Sequence, residues 1–330
     1  MGPSILARGL RLLTWSVLFA TGTVSRSATA ERLEEVEQVD LLQRNLELQN
    51  SPLERRRKAS PMFWLHIPKC GTSFANTVMH LPQMCPGLKE NVSLGDVEIW
   101  SECFEVAFWK LCPTLCDQSL VHCNRWPDGE GFTGIHQLLT DEKYSKHKGH
   151  LVALFRQPEQ RLLSAYYDDR ELFRTTDFVC SCCDKSKYNT DELSMEAFIQ
   201  TWGSWETGQL VGKDASKEQL SLADVAKALE RLEDGFAFVG LQEEWELSVC
   251  LFHTKFGGPC LAVDFDDIRP TRGQNSSTYD VHVLNGWTDD FDRKVYAKAK
   301  NIFESDLLKF GVSHETCKAC YEEAGLEWQD

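Results

Sequence analysis

The stretch of residues 61–74, which reads PMFWLHIPKCGTSF, constrains the fold of this chain more than any other. Its apolar part, residues 62–67, has the length and composition of a buried strand. Pro68 ends that strand, and Gly71 allows the backbone to turn sharply or to approach a ligand. A helical pattern follows until Pro82. Strand, tight turn and helix start together predict a cradle for an anion, because unpaired N–H groups point at one spot.

The charge at this turn indicates which anion is expected. Lys69 adds a positive charge at the mouth of the cradle, so a phosphate-like group is the expected ligand. The standard nucleoside-triphosphate loop has its lysine directly after a glycine. Here Lys69 comes two residues before Gly71, and no glycine precedes it nearby. A kinase-like phosphotransferase is therefore an alternative that this pattern disfavours.

A second strand-to-helix segment carries further anion-binding residues. Residues 151–155 form a short apolar run suited to a parallel core strand, and Arg156 follows it directly. Pro158 suits a helix start, and Ser164 lies two turns into the predicted helix. A permanently charged arginine fork and a serine hydroxyl could converge here on one anion.

These two motifs, in this order, resemble the cofactor-binding motifs of sulfotransferases that use 3′-phosphoadenosine 5′-phosphosulfate (PAPS). The first resembles their 5′-phosphosulfate loop, and the second resembles their 3′-phosphate motif. The segment 238–252 and the helical pattern around residues 291–303 are similar to the Golgi, carbohydrate-directed branch, which includes the heparan sulfate 6-O and 2-O sulfotransferases. The resemblance covers roughly residues 60–310.

The resemblance implies a fold, and the pattern of the N-terminal residues adds a division of the chain. The expected fold is α/β, a parallel sheet flanked by helices in a P-loop-like PAPS-binding arrangement with cysteine-rich insertions. Residues 1–30 are predicted to be a signal peptide or signal anchor, residues 31–58 a helical stem and basic linker, and residues 59–330 the sulfotransferase domain.

The resemblance also implies PAPS as co-substrate, with no metal. The residues expected to bind it are Lys69, Cys70, Gly71, Thr72, Ser73, Phe74, Arg156, Ser164 and Arg272. Cys70 is expected to contribute only its backbone N–H group. Arg272 lies in a late basic stretch that could close over the cofactor, or could instead be an exposed loop with a glycan at Asn275.

Sulfuryl transfer needs a cation near the leaving oxygen and a base for the acceptor hydroxyl. Lys69 is expected to stabilise the leaving group. His136, in a Gly-x-His sequence, resembles the catalytic-histidine segment of the Golgi branch and is the expected general base. His66 is expected to pack beside the loop. The other candidate bases are His80, Glu98 and Glu102.

Cysteine usage and the N-terminus indicate a compartment. The odd count of 13 cysteines points to an oxidising environment and leaves at least one thiol free. Disulfides are favoured over a metal site, and Cys317 and Cys320 are expected to form one disulfide or to be the ends of two. An apolar stretch at residues 12–24 with a basic flank favours a cleaved signal peptide over a membrane anchor. The expected location is the secretory pathway, in the Golgi lumen, signal-cleaved or anchored as a type II protein.

Residues 31–50 and 55–58 precede the first strand. The former carry one apolar helical stripe, which allows self-association or packing on the domain. The basic run 55–58 is predicted to be a solvated linker, with a processing site or an acceptor-facing patch as alternatives. Two glycosylation sequons, at Asn91 and Asn275, agree with the secretory pathway.

Net charge limits the partners more than it identifies them. A formal charge of −15 disfavours nonspecific nucleic-acid binding, which needs a basic face. The resemblance implies a carbohydrate hydroxyl as acceptor. A tyrosylprotein sulfotransferase, or a non-catalytic secreted disulfide-rich binding protein on the same scaffold, stays open. Tryptophan faces suit sugar rings but are also ordinary core material; they occur at Trp100, Trp109, Trp126, Trp202 and Trp205.

Overall fold

The computed structural model of the chain describes residues 51–96, 111–112, 138–174, 194–268 and 278–328. These residues form an α/β structure in which a small parallel sheet of three strands is combined with helices. The α/β class and the parallel sheet expected from the sequence are confirmed at this level.

Helices lie between successive strands along the chain, as parallel strand connections require. The strands are β1 (Phe63–Trp64), β2 (Leu151–Phe155) and β3 (Phe236–Leu241). The described α-helices are α1 (Pro52–Ala59), α2 (Phe74–His80), α3 (Asp141–His147), α4 (Pro158–Arg174), α5 (Met195–Trp202), α6 (Trp205–Val211), α7 (Leu222–Gly235), α8 (Trp245–Phe256), α9 (Asp292–Phe310) and α10 (His314–Glu323). Short 3-10 helices cover Leu94–Asp96, Ala262–Phe265 and Val281–Leu284.

The sheet has the strand order β1-β2-β3 with all strands parallel. Phe63 lies opposite Leu151 at one end, and Phe155 lies opposite Leu241 at the other. The predicted strand 151–155 is confirmed. The predicted strand 62–67 is shorter as a paired element, although all six residues are buried. Because the strands are parallel, the segments after β1, β2 and β3 all leave from the same edge of the sheet.

An aromatic cluster ties the start of α2 to the sheet and to α8. Phe74, the first residue of α2, is fully buried, and its ring stacks on that of Phe238 in β3 with centroids 5.6 Å apart. Phe252 of α8 packs edge-on against both rings, at 5.1 Å and 5.0 Å. Aromatic packing of this kind stabilises beyond the area that it buries. The helix that follows the turn after β1 is therefore anchored in the aromatic core.

The basic run 55–58 differs from the predicted solvated linker. It lies within α1, which Pro52 begins and which Ser51 caps by accepting a hydrogen bond from the Glu54 N–H group. Arg55 Nε donates to the Lys255 carbonyl oxygen (2.7 Å), and the Arg56 side chain donates to the next carbonyl, that of Phe256. The arginines satisfy carbonyl groups at the end of α8 that lack helical partners, and this fixes α1 to the domain.

Three disulfides connect six of the seven described cysteines, which fits a secreted or lumenal protein. The pairs are Cys85–Cys112, Cys250–Cys317 and Cys260–Cys320. Of the two arrangements expected for Cys317 and Cys320, the structure shows the second, in which they are the ends of two disulfides. These bonds join α10 to α8 and to the segment after it. Cys70 is a free, buried thiol. The remaining cysteines lie outside the described residues; they are Cys103, Cys116, Cys123, Cys180, Cys182 and Cys183.

None of the helices in the described part of the chain combines the length and the apolar composition needed to cross a membrane. The predicted signal segment 1–30 and the helical stem 31–50 lie outside the described residues.

Candidate anion site at the carboxyl edge of the sheet

The turn between β1 and α2 has two residues in left-handed backbone conformation. Lys69 has φ 66° and Gly71 has φ 86°. Only glycine adopts this region without strain, so Lys69 is held there by its surroundings, a situation common at ligand sites. A Cβ atom at Gly71 would lie 2.8 Å from Leu154 Cδ1 and 2.8 Å from Trp245 Cζ3. The sequence expectation that Gly71 permits a sharp turn is confirmed. The groups that its backbone approaches closely are the core side chains of Leu154 and Trp245.

This turn presents three successive N–H groups that have no acceptor among the described residues. The Cys70 N–H donates to the Ile67 carbonyl oxygen (3.1 Å), and the Phe74 N–H donates to that of Gly71 (3.1 Å). Between them, the N–H groups of residues 71–73 make no hydrogen bond to any described residue. Successive free N–H groups at such a turn form a concave site for anions. We call residues 68–73 the anion loop.

The expected set of cofactor-binding residues is therefore corrected at Cys70 and Phe74. The N–H groups of Cys70 and Phe74 are already used inside the turn. The Phe74 side chain belongs to the core and the Cys70 side chain points beneath the loop, so neither faces a ligand. Because α2 has only seven residues, its dipole contributes little to anion binding. The anion site is therefore inferred from the N–H groups of residues 71–73.

The hydroxyl groups of the loop hold the loop itself. Thr72 Oγ1 lies 3.3 Å from His66 Nε2, and Ser73 Oγ accepts a hydrogen bond from the Ile268 N–H group (3.2 Å). His66 is buried, as expected for a residue that packs beside the loop. Thr72 and Ser73 thus offer their backbone N–H groups outward while their side chains are engaged by neighbouring segments.

Arg156, at the end of β2, comes to the anion loop from the neighbouring strand. Its Nη1 atom donates to the carbonyl oxygen of Lys69 (3.3 Å), across 87 residues of sequence. Its guanidinium lies over the ring of Tyr279 at 5.6 Å, and the side chain is buried. A permanent cation is thereby placed at the strand end next to the loop. The structure thus brings together the two sequence motifs.

The start of α4 is fixed by side chains from two later segments. Glu243, which follows β3, accepts a hydrogen bond from the Gln157 N–H group at the start of α4 (2.5 Å). Gln160 binds the backbone of Tyr279 twice, donating to its carbonyl oxygen and accepting from its N–H group. Ser164 lies on the buried side of α4, and no described residue hydrogen-bonds to its hydroxyl. These contacts hold α4 in position at the sheet edge.

Two expected functional residues, His136 and Arg272, lie outside the described residues, as do the alternative bases Glu98 and Glu102. His80, another alternative base, ends α2. One of its ring nitrogens lies 2.8 Å from the Asn76 carbonyl oxygen and the other 3.2 Å from that of Lys89. Because both ring nitrogens lie within hydrogen-bond distance of backbone carbonyl oxygens, we interpret His80 as a structural residue.

The sequence interpretation missed a buried charge cluster beneath the loop. Arg161, which is completely buried, lies 3.2 Å from a carboxylate oxygen of Asp292 and 3.7 Å from one of Glu206. The cluster reaches the anion loop at Cys70, whose thiol lies 3.5 Å from Glu206. Burial lowers the pKa of Arg161, but the two carboxylates outweigh burial and raise it. Its one signal in the sequence was an arginine on the apolar face of the helix that carries Leu162 and Ala165.

Comparison with known proteins leaves the site to be interpreted from its own geometry. No protein-family model, no curated protein and no solved structure matches the chain.

Proposed function

We propose that this protein transfers a sulfuryl group from PAPS to a hydroxyl group of a carbohydrate. The observation that carries the proposal is the contact between Arg156 Nη1 and the Lys69 carbonyl oxygen. It joins the strand-end arginine to a loop in which the N–H groups of residues 71–73 make no hydrogen bond within the described part of the chain, at the carboxyl ends of two adjacent parallel strands. Ligands of α/β proteins characteristically bind at this edge.

The arrangement suits a ligand with two separate anionic groups. In the proposal, the N–H groups of residues 71–73 and the Lys69 ammonium hold the phosphosulfate. Arg156 and the Ser164 hydroxyl hold the 3′-phosphate, as a charged fork and a neutral donor. Arg272 is proposed to contribute a further cation. A single phosphate would need only the loop, so the second motif favours a nucleotide with two anionic ends.

The proposed chemistry follows from the residues assigned to it. Bound PAPS supplies the sulfuryl group and leaves as adenosine 3′,5′-bisphosphate. Lys69 stabilises the negative charge that develops on the bridging oxygen as its bond to sulfur breaks. His136 takes the proton from the acceptor hydroxyl as that oxygen bonds to sulfur. The proton therefore ends on His136 and the negative charge on the leaving phosphate.

The location and the acceptor are part of the same proposal. The disulfides fit a secreted or lumenal protein. Within that class we propose the Golgi lumen, with residues 1–30 as a signal peptide or type II anchor. A carbohydrate acceptor is proposed from the resemblance of residues 60–310 to the Golgi branch, and a peptide tyrosine is the alternative that the assay must include.

The test combines nucleotide binding with sulfate transfer. We expect adenosine 3′,5′-bisphosphate to stabilise the protein thermally more than ATP with magnesium does. We expect K69A to lose at least about 100-fold in transfer from labelled PAPS while still binding nucleotide. R156A should weaken nucleotide binding by about tenfold or more, because it removes a charge-assisted contact. K146A and R57A, at exposed positions, are the matched controls.

An acceptor array of glycans and tyrosine peptides identifies the hydroxyl that is sulfated. Undiminished transfer by both K69A and R156A would refute the assignment of the site. Tight binding of adenosine 3′,5′-bisphosphate without transfer to any acceptor would favour the non-catalytic binding protein. Stronger stabilisation by ATP with magnesium would favour a phosphotransferase.

A further inference from the structure

The side chain of Cys70 connects the anion loop to a buried carboxylate. Cys70 lies between the two left-handed residues of the loop, and its side chain is almost completely buried. Its Sγ atom lies 3.5 Å from Oε1 of Glu206, in the first turn of α6. A carboxyl group that no solvent reaches thus lies directly beneath the turn that presents the free N–H groups.

The Glu206 carboxyl group has few hydrogen-bond donors among the described residues. Its side chain is 0% exposed. Arg161 Nε is 3.7 Å from Oε1, which is too long for a hydrogen bond, and Oε2 makes no hydrogen bond to any described residue. An ionised carboxylate in such a place is costly because burial removes its hydration.

The neighbouring Asp292 accepts the hydrogen bonds of most nearby donors. One of its oxygens accepts from the N–H group (2.8 Å) and the hydroxyl (2.7 Å) of Thr207. The other accepts from the Glu206 N–H group (3.0 Å) and from Arg161 (3.2 Å). Burial in the first place, and the Asp292 charge in the second, raise the pKa of Glu206 well above its usual range.

The groups that interact with this carboxyl come from several elements. They are Cys70 of the anion loop, Arg161 of α4, Asp289 just before α9, and Asp292 and Tyr296 of α9. Burial raises the pKa of the Cys70 thiol, so that it stays protonated. Burial and the Asp289 carboxylate raise the pKa of Asp292 to about 6. Glu206 is therefore the carboxyl group of the cluster whose charge is compensated least by hydrogen bonds.

We propose that Glu206 is a positioning residue that couples anion binding at the loop to the uptake of one proton. An anion held by the N–H groups of residues 71–73 brings negative charge close to Glu206 and disfavours its ionised form. By linkage, protonation of Glu206 must raise the affinity for the anion by the same factor as the bound anion raises the affinity of Glu206 for its proton. The inference rests on the proposed function only in taking the loop as the site of the bound anion.

The expected pH dependence has a definite sign. The bound anion raises the pKa of Glu206 further, so affinity is highest where Glu206 is protonated. It falls as pH rises through the pKa of the free protein, and levels off above the pKa of the complex. Since a nearby charge moves a pKa by about one to three units, we expect the affinity to fall by about tenfold or more across this range.

The test measures proton uptake on binding of adenosine 3′,5′-bisphosphate, by calorimetry in two buffers with different ionisation enthalpies. It is carried out between about pH 7 and pH 9, where Asp292 and the phosphates of the nucleotide are largely ionised. Wild type is compared with E206Q, a neutral variant of the same shape, and with E304Q on the exposed face of α9 as a control. We expect E206Q to bind with less proton uptake than wild type and with a flatter pH dependence, and E304Q to behave as wild type.

A purely structural role for Glu206 would change stability and leave proton uptake the same. Equal uptake by wild type and E206Q, with binding intact in both, would overturn the inference. Failure of wild type to bind the nucleotide at any pH would instead overturn the proposed function.

If E206Q does not fold, infrared difference spectra of the wild type replace it. Nucleotide binding should then produce the carbonyl band of a newly protonated buried carboxyl group. Binding without such a band would also overturn the inference.

Discussion

Replacing Gly71 with alanine tests the steric basis of the anion loop. The new Cβ atom would lie 2.8 Å from both Leu154 Cδ1 and Trp245 Cζ3, closer than carbon atoms pack. Leu154 belongs to the buried central strand, and Trp245 begins α8, so neither moves without disturbing the core. The residue would also have to adopt φ 86°, which alanine disfavours.

The two effects have separate magnitudes. A left-handed conformation costs a residue with a Cβ atom about 1–2 kcal/mol. Overpacking a well-packed core typically costs about 1–3 kcal/mol more. We therefore expect G71A to lower the free energy of unfolding by about 2–5 kcal/mol. The anion affinity should fall as well, because any shift of the loop moves the N–H groups of residues 71–73.

Gly87 provides a matched control for this experiment. It has nearly the same backbone angle, φ 89°, but a Cβ atom there would meet nothing within 4 Å. G87A should thus show the backbone cost alone and leave nucleotide binding unchanged. The measurement is urea unfolding followed by circular dichroism with the disulfides intact. Equal losses of stability in the two variants would show that contact with Leu154 and Trp245 does not constrain the loop.

Two further predictions concern stability. R161M should lower the free energy of unfolding by about 3–5 kcal/mol, since it leaves Asp292 and Glu206 buried without a cation. In urea unfolding, the control R57M, at a surface ion pair, should lose less than about 1 kcal/mol. An equally small loss in R161M would contradict the buried ion cluster. Replacing Cys260 and Cys320 together with serine removes a crosslink that spans 60 residues and should cost about 2–4 kcal/mol in the same measurement, whereas unchanged stability would show that the bond does not constrain the unfolded chain.

Elements with a local pattern could be predicted from sequence. The apolar run of β2, the helix before Pro82, and the strand and helix around β3 and α8 all occur where their patterns place them. The helix α1 was not predicted, because a run of basic residues has no apolar periodicity to mark it. Its helix is stabilised by carbonyl groups about 200 residues away, at the end of α8, which no local pattern contains.

The candidate site was predictable to a similar degree. Spacing within the chain indicated Gly71 as the turn residue and Arg156 as a strand-end cation. It could not show that the Cys70 and Phe74 N–H groups are consumed within the turn, because that depends on the path of the backbone. Nor could it show that the Ser73 hydroxyl binds the backbone at Ile268, which lies 195 residues away.

The sequence by itself therefore indicated candidate residues for an anion site and the elements on which they lie, since apolar periodicity and turn chemistry act over a few residues. Only the tertiary structure decided that β1 and β2 are neighbours, so that Arg156 reaches the Lys69 carbonyl. It also decided that Glu206 lies beneath Cys70, with Arg161 shared with Asp292. The physical reason is that burial and Coulomb interaction depend on distance in space, whatever the separation along the chain.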